Sequence, residues 1–341
     1  MILPWITATI ILVALVVYAI LGGADFGGGV WDLLASGPRA RRQRELIAEA
    51  IAPVWEANHV WLIVVIVLLF TCFPLAFSVI SIALHVPLAL MLLGIVMRAA
   101  AFVFRHYDVA GDPVQRRWGQ IFAWSSIITP LFLGICVGAV SLGSIRIEDE
   151  VVLTGYFGPW LRPFPVTVGV FTLALFAFLA AAYLTRETSD PELQEDFRSR
   201  ALIAQLWVAV LALLAAFANR ADAAAVQLLR GVWPWIFVVL AIALGVAVTY
   251  ALFRRRYKWA RVLAASEVAT IVIGWGAAMV PYMVAPDLTL QEAAAPPHVH
   301  LLILIVLFVG AFTLVPSLLW LYRIFKREPI FEPVERERAR P

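Results

Sequence analysis

Nine long apolar runs constrain this chain more than any other feature of its sequence. A membrane-spanning α-helix needs about 20 predominantly apolar residues, because each backbone N–H and C=O must be paired within the segment. The runs are separated by charged or Pro/Gly-containing breaks, which predicts nine spanning helices. We place them near residues 3–22, 51–73, 79–104, 119–142, 164–185, 201–218, 232–253, 262–284 and 299–322.

The composition of the 341 residues leaves little room for anything but membrane helices. Hydrophobic residues make up 63% of the chain and charged residues 14%, against about 45–50% and about 25% in soluble proteins. We therefore predict an all-α polytopic membrane protein, with residues 1–325 as a single transmembrane domain. Residues 326–341 alternate charge and proline, which predicts a disordered cytoplasmic tail. The first run lacks a basic leader and a cleavage site, so we expect it to be a retained span.

Basic residues are distributed unevenly over the predicted loops. Of the 26 Lys and Arg residues, 21 lie in odd-numbered loops or in the tail, four lie in even-numbered loops, and Arg98 lies inside a span. Short loops rich in Lys and Arg stay on the cytoplasmic side of a membrane. This asymmetry predicts an N-terminus outside and a C-terminus in the cytoplasm.

The usual signatures of a metal or nucleotide site are weak in this sequence. Cys72 and Cys136 lie inside apolar runs without metal-ligand spacing, and we interpret them as core residues. His298 and His300 are too closely spaced to share one helix face, so metal binding there is disfavoured. The glycines at 22–29 lack the Lys-Ser/Thr pair of a phosphate loop and predict close helix packing instead. We expect no metal centre and no nucleic-acid partner.

Ionisable groups inside or beside the predicted spans are the most informative residues. Each costs about 2.5–3.5 kcal/mol at a helix centre and persists only with a partner or a task. Five lie in the predicted cytoplasmic third of the membrane: Asp25, Glu56, His59, Arg98 and Glu267.

These buried groups allow two interpretations. On one continuous helix, Glu45, Glu49, Glu56 and His59 would lie along one face, as a proton relay from the cytoplasm requires. Arg98 would then be the counter-charge. The alternative is an intramembrane Glu56–Arg98 ion pair that only fixes helix register.

Two segments of the chain carry a resemblance to a known family. Gly-Ala-Asp-Phe-Gly at 23–27 and Ile-Ala-Pro-Val-Trp-Glu-Ala-Asn-His-Val-Trp-Leu-Ile at 51–63 resemble subunit II of the cytochrome bd-type quinol oxidases. Arg98, Phe102 and Arg105 are similar to the family's stretch on the third helix. Met-Val-Pro-Tyr-Met at 279–283 resembles its late segment.

The resemblance implies a heterodimer in a bacterial cytoplasmic membrane. A larger subunit I would carry hemes b and d, or b alone, oxidise quinol and reduce O2 to water. This chain would bind no heme and hold no catalytic residue, and a structural quinone and a small accessory peptide are left open. By position, Asp25 and Glu56 would relay protons with Arg98 as counter-charge, while Trp55 and Trp61 would line a quinone or O2 passage.

The sequence departs from the family pattern at two positions, and two other functions stay open. Gly22 and Val103 stand where many members carry an acidic residue, so the relay could be rerouted through His59 or Glu267. A proton-coupled secondary transporter is the main alternative, although such proteins usually show paired broken helices near the midplane. A heme b electron carrier would use His59 and His85, whose predicted depths differ.

Overall fold

The structure of the chain is a computed structural model that describes residues 2–51, 55–107, 113–149, 151–220 and 232–325. Within these residues nine helices are long and apolar enough to cross a membrane, as predicted. Two small antiparallel hairpins complete the fold, with β1 (Ile147–Glu148) paired to β2 (Val151–Val152) and β3 (Tyr282–Val284) paired to β4 (Leu288–Thr289). The helices are α1 (Leu3–Leu33), α2 (Ala40–Ile51), α3 (Trp55–Cys72), α4 (Pro74–Ala83), α5 (His85–Tyr107), α6 (Pro113–Leu142), α7 (Pro163–Glu187), α8 (Pro191–Arg220), α9 (Val232–Phe253), α10 (Tyr257–Met279) and α11 (Pro297–Phe325).

Proline marks the start of several of these helices. The first residue of α4, α6, α7, α8 and α11 is proline. Proline fits this position because its missing N–H would have no intrahelical partner there and its φ already suits a helix. Proline also explains where α10 ends, because Pro281 in the next segment has no N–H to donate to a helical hydrogen bond. The predicted span 262–284 therefore ends early, at Met279.

The helix α1 differs most from the sequence prediction. It continues to Leu33 through the glycine-rich segment that was expected to end it. The glycines serve close packing: a Cβ on Gly27 would lie 1.9 Å from the backbone oxygen of Phe176 in α7, and one on Gly29 would lie 2.2 Å from Ser126 in α6. Asp25, predicted just past the first span, is therefore inside the helix.

Helix α1 is the centre of the bundle. It packs against α3, α6, α7 and α10, whereas α11 contacts mainly α1 and α3 from the periphery. The most apolar stretch of α11 has no buried residue, so its surface is available to contact lipid or another chain. The predicted third span is also divided, because α4 ends at Ala83 and α5 begins at His85.

Ion pairs connect three basic loops at one end of the bundle. Arg39 donates to both carboxylate oxygens of Asp196 at 2.9 and 2.7 Å, and Arg42 pairs with Asp190. The bond to Asp196 raises the pKa of Arg39 above its usual value. Arg255 contacts Glu195 at 3.3 Å, which joins a third basic loop to the same end. The predicted tail, 326–341, lies outside the described residues, and the orientation across the membrane stays a prediction.

Candidate functional site

A buried arginine stands at the junction of three helices. Arg98 in α5 is 2% exposed, and its Nη2 donates to the backbone oxygen of Asp25 at 3.0 Å while its Nε donates to Ser126 Oγ at 3.1 Å. The guanidinium lies 4.8 Å from the Phe26 ring centroid and 5.1 Å from that of Phe122. Planar stacking and directed N–H bonds hold an arginine better than they would hold a lysine. The site thus contains a fixed positive charge that is almost wholly buried.

Asp25 places a carboxylate beside this charge. The residue is 6% exposed, and one oxygen accepts a 2.6 Å hydrogen bond from Asn58 Nδ2 in α3. Asn58 was absent from the residues predicted by sequence, although a polar side chain within an apolar span was a usable signal. The side chains of α1 and α3, together with Arg98 from α5, therefore form one polar site.

Aromatic rings enclose the site on the α3 side. The ring of His59 lies 6.0 Å from Tyr18, 5.9 Å from Phe26 and 6.4 Å from Trp55, measured between centroids. Neither His59 Nδ1 nor Tyr18 Oη has a hydrogen-bond partner among the described residues, although both atoms are buried. Buried polar atoms of this kind are satisfied in proteins by ordered water. Water molecules would satisfy both of these atoms.

Gly22 has a packing role here. A Cβ at this position would lie 2.8 Å from the ring of Tyr18, so an acidic side chain could enter only if that ring moved. Val103, the other departure from the family pattern, is 40% exposed on α5. The two departures therefore lie in different settings, one inside the packed core and one on the outer surface.

Glu56 does not join this site. Its side chain is exposed on α3, and no ion-pair partner for it is found within the described residues. The alternative interpretation, a Glu56–Arg98 ion pair, is therefore wrong, because Arg98 bonds to α1 and α6. Whether Glu45, Glu49, Glu56 and His59 share one continuous face stays a prediction, because residues 52–54 between α2 and α3 lie outside the described residues. Trp61 is half-buried against the same core as Trp55.

Glu267 belongs to a second polar site between α8, α9 and α10. It is 3% exposed, and its Oε1 accepts a 2.8 Å hydrogen bond from Gln205 Nε2. Gly245 in α9 makes room for the pair, since a Cβ there would lie 2.9 Å from Gln205 Nε2 and 3.0 Å from Glu267 Oε1. Glu267 Oε2 has no partner in the described part of the chain. The structure therefore separates Glu267 from the contacts of Arg98.

The remaining candidate ligands do not converge. His298 is exposed, whereas His300 is buried and its Nδ1 lies 3.0 Å from Thr7 Oγ1. His85 is exposed and bonds to the Ile82 oxygen at 2.9 Å. Cys72 and Cys136 are free and buried, as predicted for core residues. In the residues that the structure describes, no group of three or more His, Cys, Asp or Glu side chains could hold a metal ion.

Comparison with known proteins covers nearly the whole chain. Residues 3–325 match the family model described as cytochrome bd terminal oxidase subunit II. The chain is 26% identical over 326 residues to cytochrome bd-I ubiquinol oxidase subunit 2 of Escherichia coli, covering 85% of this chain and 83% of that one. It is 24% identical over 330 residues to a putative cytochrome bd menaquinol oxidase subunit II of Bacillus subtilis, covering 92% of each.

A solved structure shares the fold. The bd oxidase from Geobacillus thermodenitrificans matches with a TM-score of 0.79 at 22% identity, covering 95% of this chain and 99% of that chain. At this identity the likeness supports the arrangement of the helices. The family assignment rests on the family model, which matches residues 3–325.

Proposed function

This chain belongs to the cytochrome bd terminal oxidase subunit II family, and on that premise we propose that it is the heme-free subunit that supplies scaffold and proton access to the oxidase. It is a multi-pass subunit of an oxidoreductase complex that oxidises quinol. The family implies a larger subunit I as partner. The observation that carries the proposal is the buried carboxyl group of Asp25, a residue whose backbone oxygen accepts a hydrogen bond from the buried Arg98.

Heme supplies electron transfer and O2 reduction in such complexes, and the two histidines inside the described bundle, His59 and His300, do not fit it. An axial histidine must face a space large enough for the macrocycle. His59 is enclosed by aromatic rings, and His300 is buried against Thr7. The cavity beside Asp25 measures about 180 Å³, below the roughly 300–1,000 Å³ of typical ligand sites. We therefore assign hemes b and d, or b alone, to subunit I.

Asp25 is the proposed proton carrier. Reduction of O2 to water consumes protons, which must reach a buried reaction centre. The positive charge of Arg98 offsets the cost of an ionised carboxylate in a dry interior, while the bond from Asn58 fixes one carboxylate oxygen. Water bound at Tyr18 and His59 would connect Asp25 to its surroundings. The carboxyl group can then gain and lose a proton without leaving its position.

Glu56, Trp55 and Trp61 are proposed as the part of the route that faces subunit I. Glu56 is exposed on the isolated chain, as a group would be that acts at a subunit boundary. The half-buried rings of Trp55 and Trp61 are proposed to line a quinone or O2 passage, and a structural quinone would lie against such a wall. A small accessory peptide is a further proposed partner.

The proposal places the chain in a bacterial cytoplasmic membrane with its N-terminus outside. The alternative of a proton-coupled transporter loses support, because the glycine-rich segment is a continuous part of α1 and not a broken helix.

Replacement of Asp25 tests the proposed function. In the assembled oxidase, Asp25→Asn should lower quinol-dependent O2 consumption on the order of 10-fold or more, because the amide keeps the shape but cannot gain and release a proton near neutral pH. The control is Asp287→Asn, which removes a partly buried carboxylate paired with Arg146 at 2.9 Å near the β3–β4 hairpin. Normal turnover in Asp25→Asn would contradict the proposal.

A further inference from the structure

A cavity leads from the end of the bundle that holds the basic loops to Asp25. It measures about 180 Å³ and lies between α1, α2, α7 and α10, with Asn58 of α3 at its inner end. Its walls are largely apolar, and Leu21, Ile47 and Leu184 are among the lining residues. A water molecule needs about 10–15 Å³ and two to four polar partners. The volume is therefore sufficient for several water molecules, provided that polar groups anchor them.

Polar groups lie at both ends of this cavity. Asp25 and Asn58 are at the inner end, while Glu187 and Arg261 are at the outer end. Ala180 and Glu187 both line the cavity from α7, and seven residues of helix separate them by about 10 Å. Ala180 marks the depth of the α1 segment next to Asp25, since its Cβ would lie 2.8 Å from a Cβ on Gly27. The cavity thus bridges the distance between the surface pair and the buried carboxylate.

The outer pair covers the mouth. Arg261 Nη1 lies 3.0 Å from Glu187 Oε1, and the two side chains are 28% and 14% exposed. The guanidinium also stacks on the ring of Tyr183, 4.7 Å from its centroid, and Tyr183 lines the cavity as well. Three lining side chains are therefore held together across the opening.

The positions of these charges argue against a role in helix capping. Glu187 is the last residue of α7 and Arg261 lies near the start of α10. A helix dipole disfavours an acid at the C-terminus and a base at the N-terminus. Glu187 is thus placed where its own helix opposes it, and its pair with Arg261 joins α7 to α10.

We propose that this cavity is the water route to Asp25 and that the Glu187–Arg261 pair closes its mouth. The inference rests on the proposed function of Asp25 and adds the entrance. When the pair separates, Arg261 moves off Tyr183 and water connects the surface to Asp25. Protons then pass along the water from the basic end of the bundle.

A cysteine inside the cavity tests the route in the assembled oxidase. Ala50 lines the cavity from α2, and Ala50→Cys is a small change. In a background with Cys72 and Cys136 replaced by alanine, a small water-soluble methanethiosulfonate reagent should modify this cysteine. Glu187→Gln should raise the labelling rate severalfold because it opens the mouth. Asp287→Asn, which removes the partner of Arg146 near the β3–β4 hairpin, should leave the rate unchanged.

Turnover supplies the second readout. Modified Ala50→Cys oxidase should consume O2 more slowly, and a reducing agent that removes the adduct should restore the rate. The background oxidase without this cysteine corrects for other thiols. Unchanged labelling in Glu187→Gln, or full turnover with the cavity plugged, would overturn the proposed route. Full turnover in Asp25→Asn alongside mouth-dependent labelling would instead refute the role of Asp25 and leave the cavity and its gate in place.

Discussion

At the residue scale, Arg98 organises the site through contacts that depend on its shape. It donates to the backbone of α1 and to Ser126 of α6, and it stacks between two phenylalanine rings. A buried ion is tolerated only when its hydrogen bonds are satisfied and an opposite charge is near. The arginine thus stabilises both the helix junction and the charge on Asp25.

Arg98→Met should therefore destabilise the subunit. Loss of one partner of a buried charge pair costs about 3–5 kcal/mol, so we expect a lower melting temperature of the purified oxidase. The melting temperature of Arg98→Lys should lie between those of Arg98→Met and the unmodified oxidase. A lysine keeps the charge but loses the planar stacking and the forked N–H bonds. An unchanged melting temperature in Arg98→Met would contradict the stabilising role of Arg98 at this helix junction.

Glu267 provides a residue-scale test of whether the proton route has a second branch. Its contacts are with Gln205 and Gly245, away from those of Arg98. We expect Glu267→Gln to lower quinol-dependent O2 consumption less than Asp25→Asn does, because the amide still accepts the Gln205 bond. Turnover and proton uptake equal to the unmodified oxidase would remove Glu267 from the route.

At the element scale, glycines let α1 approach its neighbours. The chain places residues without side chains where α1 meets α6 and α7, and the helix stays unbroken. Such close approach strengthens van der Waals packing, which drives helix association in a membrane. From the sequence, the same glycine-rich segment predicts the end of the first helix, because glycine ends many helices in soluble proteins.

Gly27→Ala should separate α1 from α7. The added Cβ would lie 1.9 Å from the Phe176 backbone oxygen, which cannot rotate away. Overpacking of this kind costs about 1–3 kcal/mol or more, and we expect a lower melting temperature and less assembled oxidase. The matched control is Gly310→Ala in α11, where the new Cβ would have no neighbour within 4 Å beyond the adjacent backbone of its own helix. A loss of stability in the control but not in Gly27→Ala would contradict this explanation.

At the scale of the whole molecule, ion pairs confirm that three basic loops meet. Residues 39–42, 187–196 and 255–261 are joined by the pairs Arg39–Asp196, Arg42–Asp190, Arg255–Glu195 and Arg261–Glu187. The concentration of basic residues in odd-numbered loops predicts that these loops lie on the same side of the membrane. The membrane side of this end follows from the positive-inside rule and can be measured.

Single cysteines can establish the orientation. A membrane-impermeant thiol reagent applied to intact spheroplasts should label Gly155→Cys, which lies in the loop before α7. Ser36→Cys, in the basic loop between α1 and α2, should be labelled only after lysis. Both positions are exposed, so access to the protein surface is matched. The reverse pattern would invert the predicted topology.

The sequence alone determined the membrane class, the nine spans and the ionisable residues inside or beside them. Hydropathy over about 20 residues is a local property, and a charge inside an apolar run is visible without any neighbour. Arg98 was found in this way and Asp25 just past the first predicted span, and the structure joins Arg98 to the backbone of Asp25. The resemblance at 23–27 and 51–63 pointed to the correct family.

Only the tertiary structure decided which of these residues meet. Asn58 rather than Glu56 faces Asp25, because the packing of α3 against α1 selects the face of α3 that is buried. Glu267 is assigned to α8 and α9 for the same reason, and the cavity at Glu187 and Arg261 exists only where helices distant in sequence converge. Helical periodicity gives the spacing of side chains along a helix. The direction in which they point is set by the neighbouring helices.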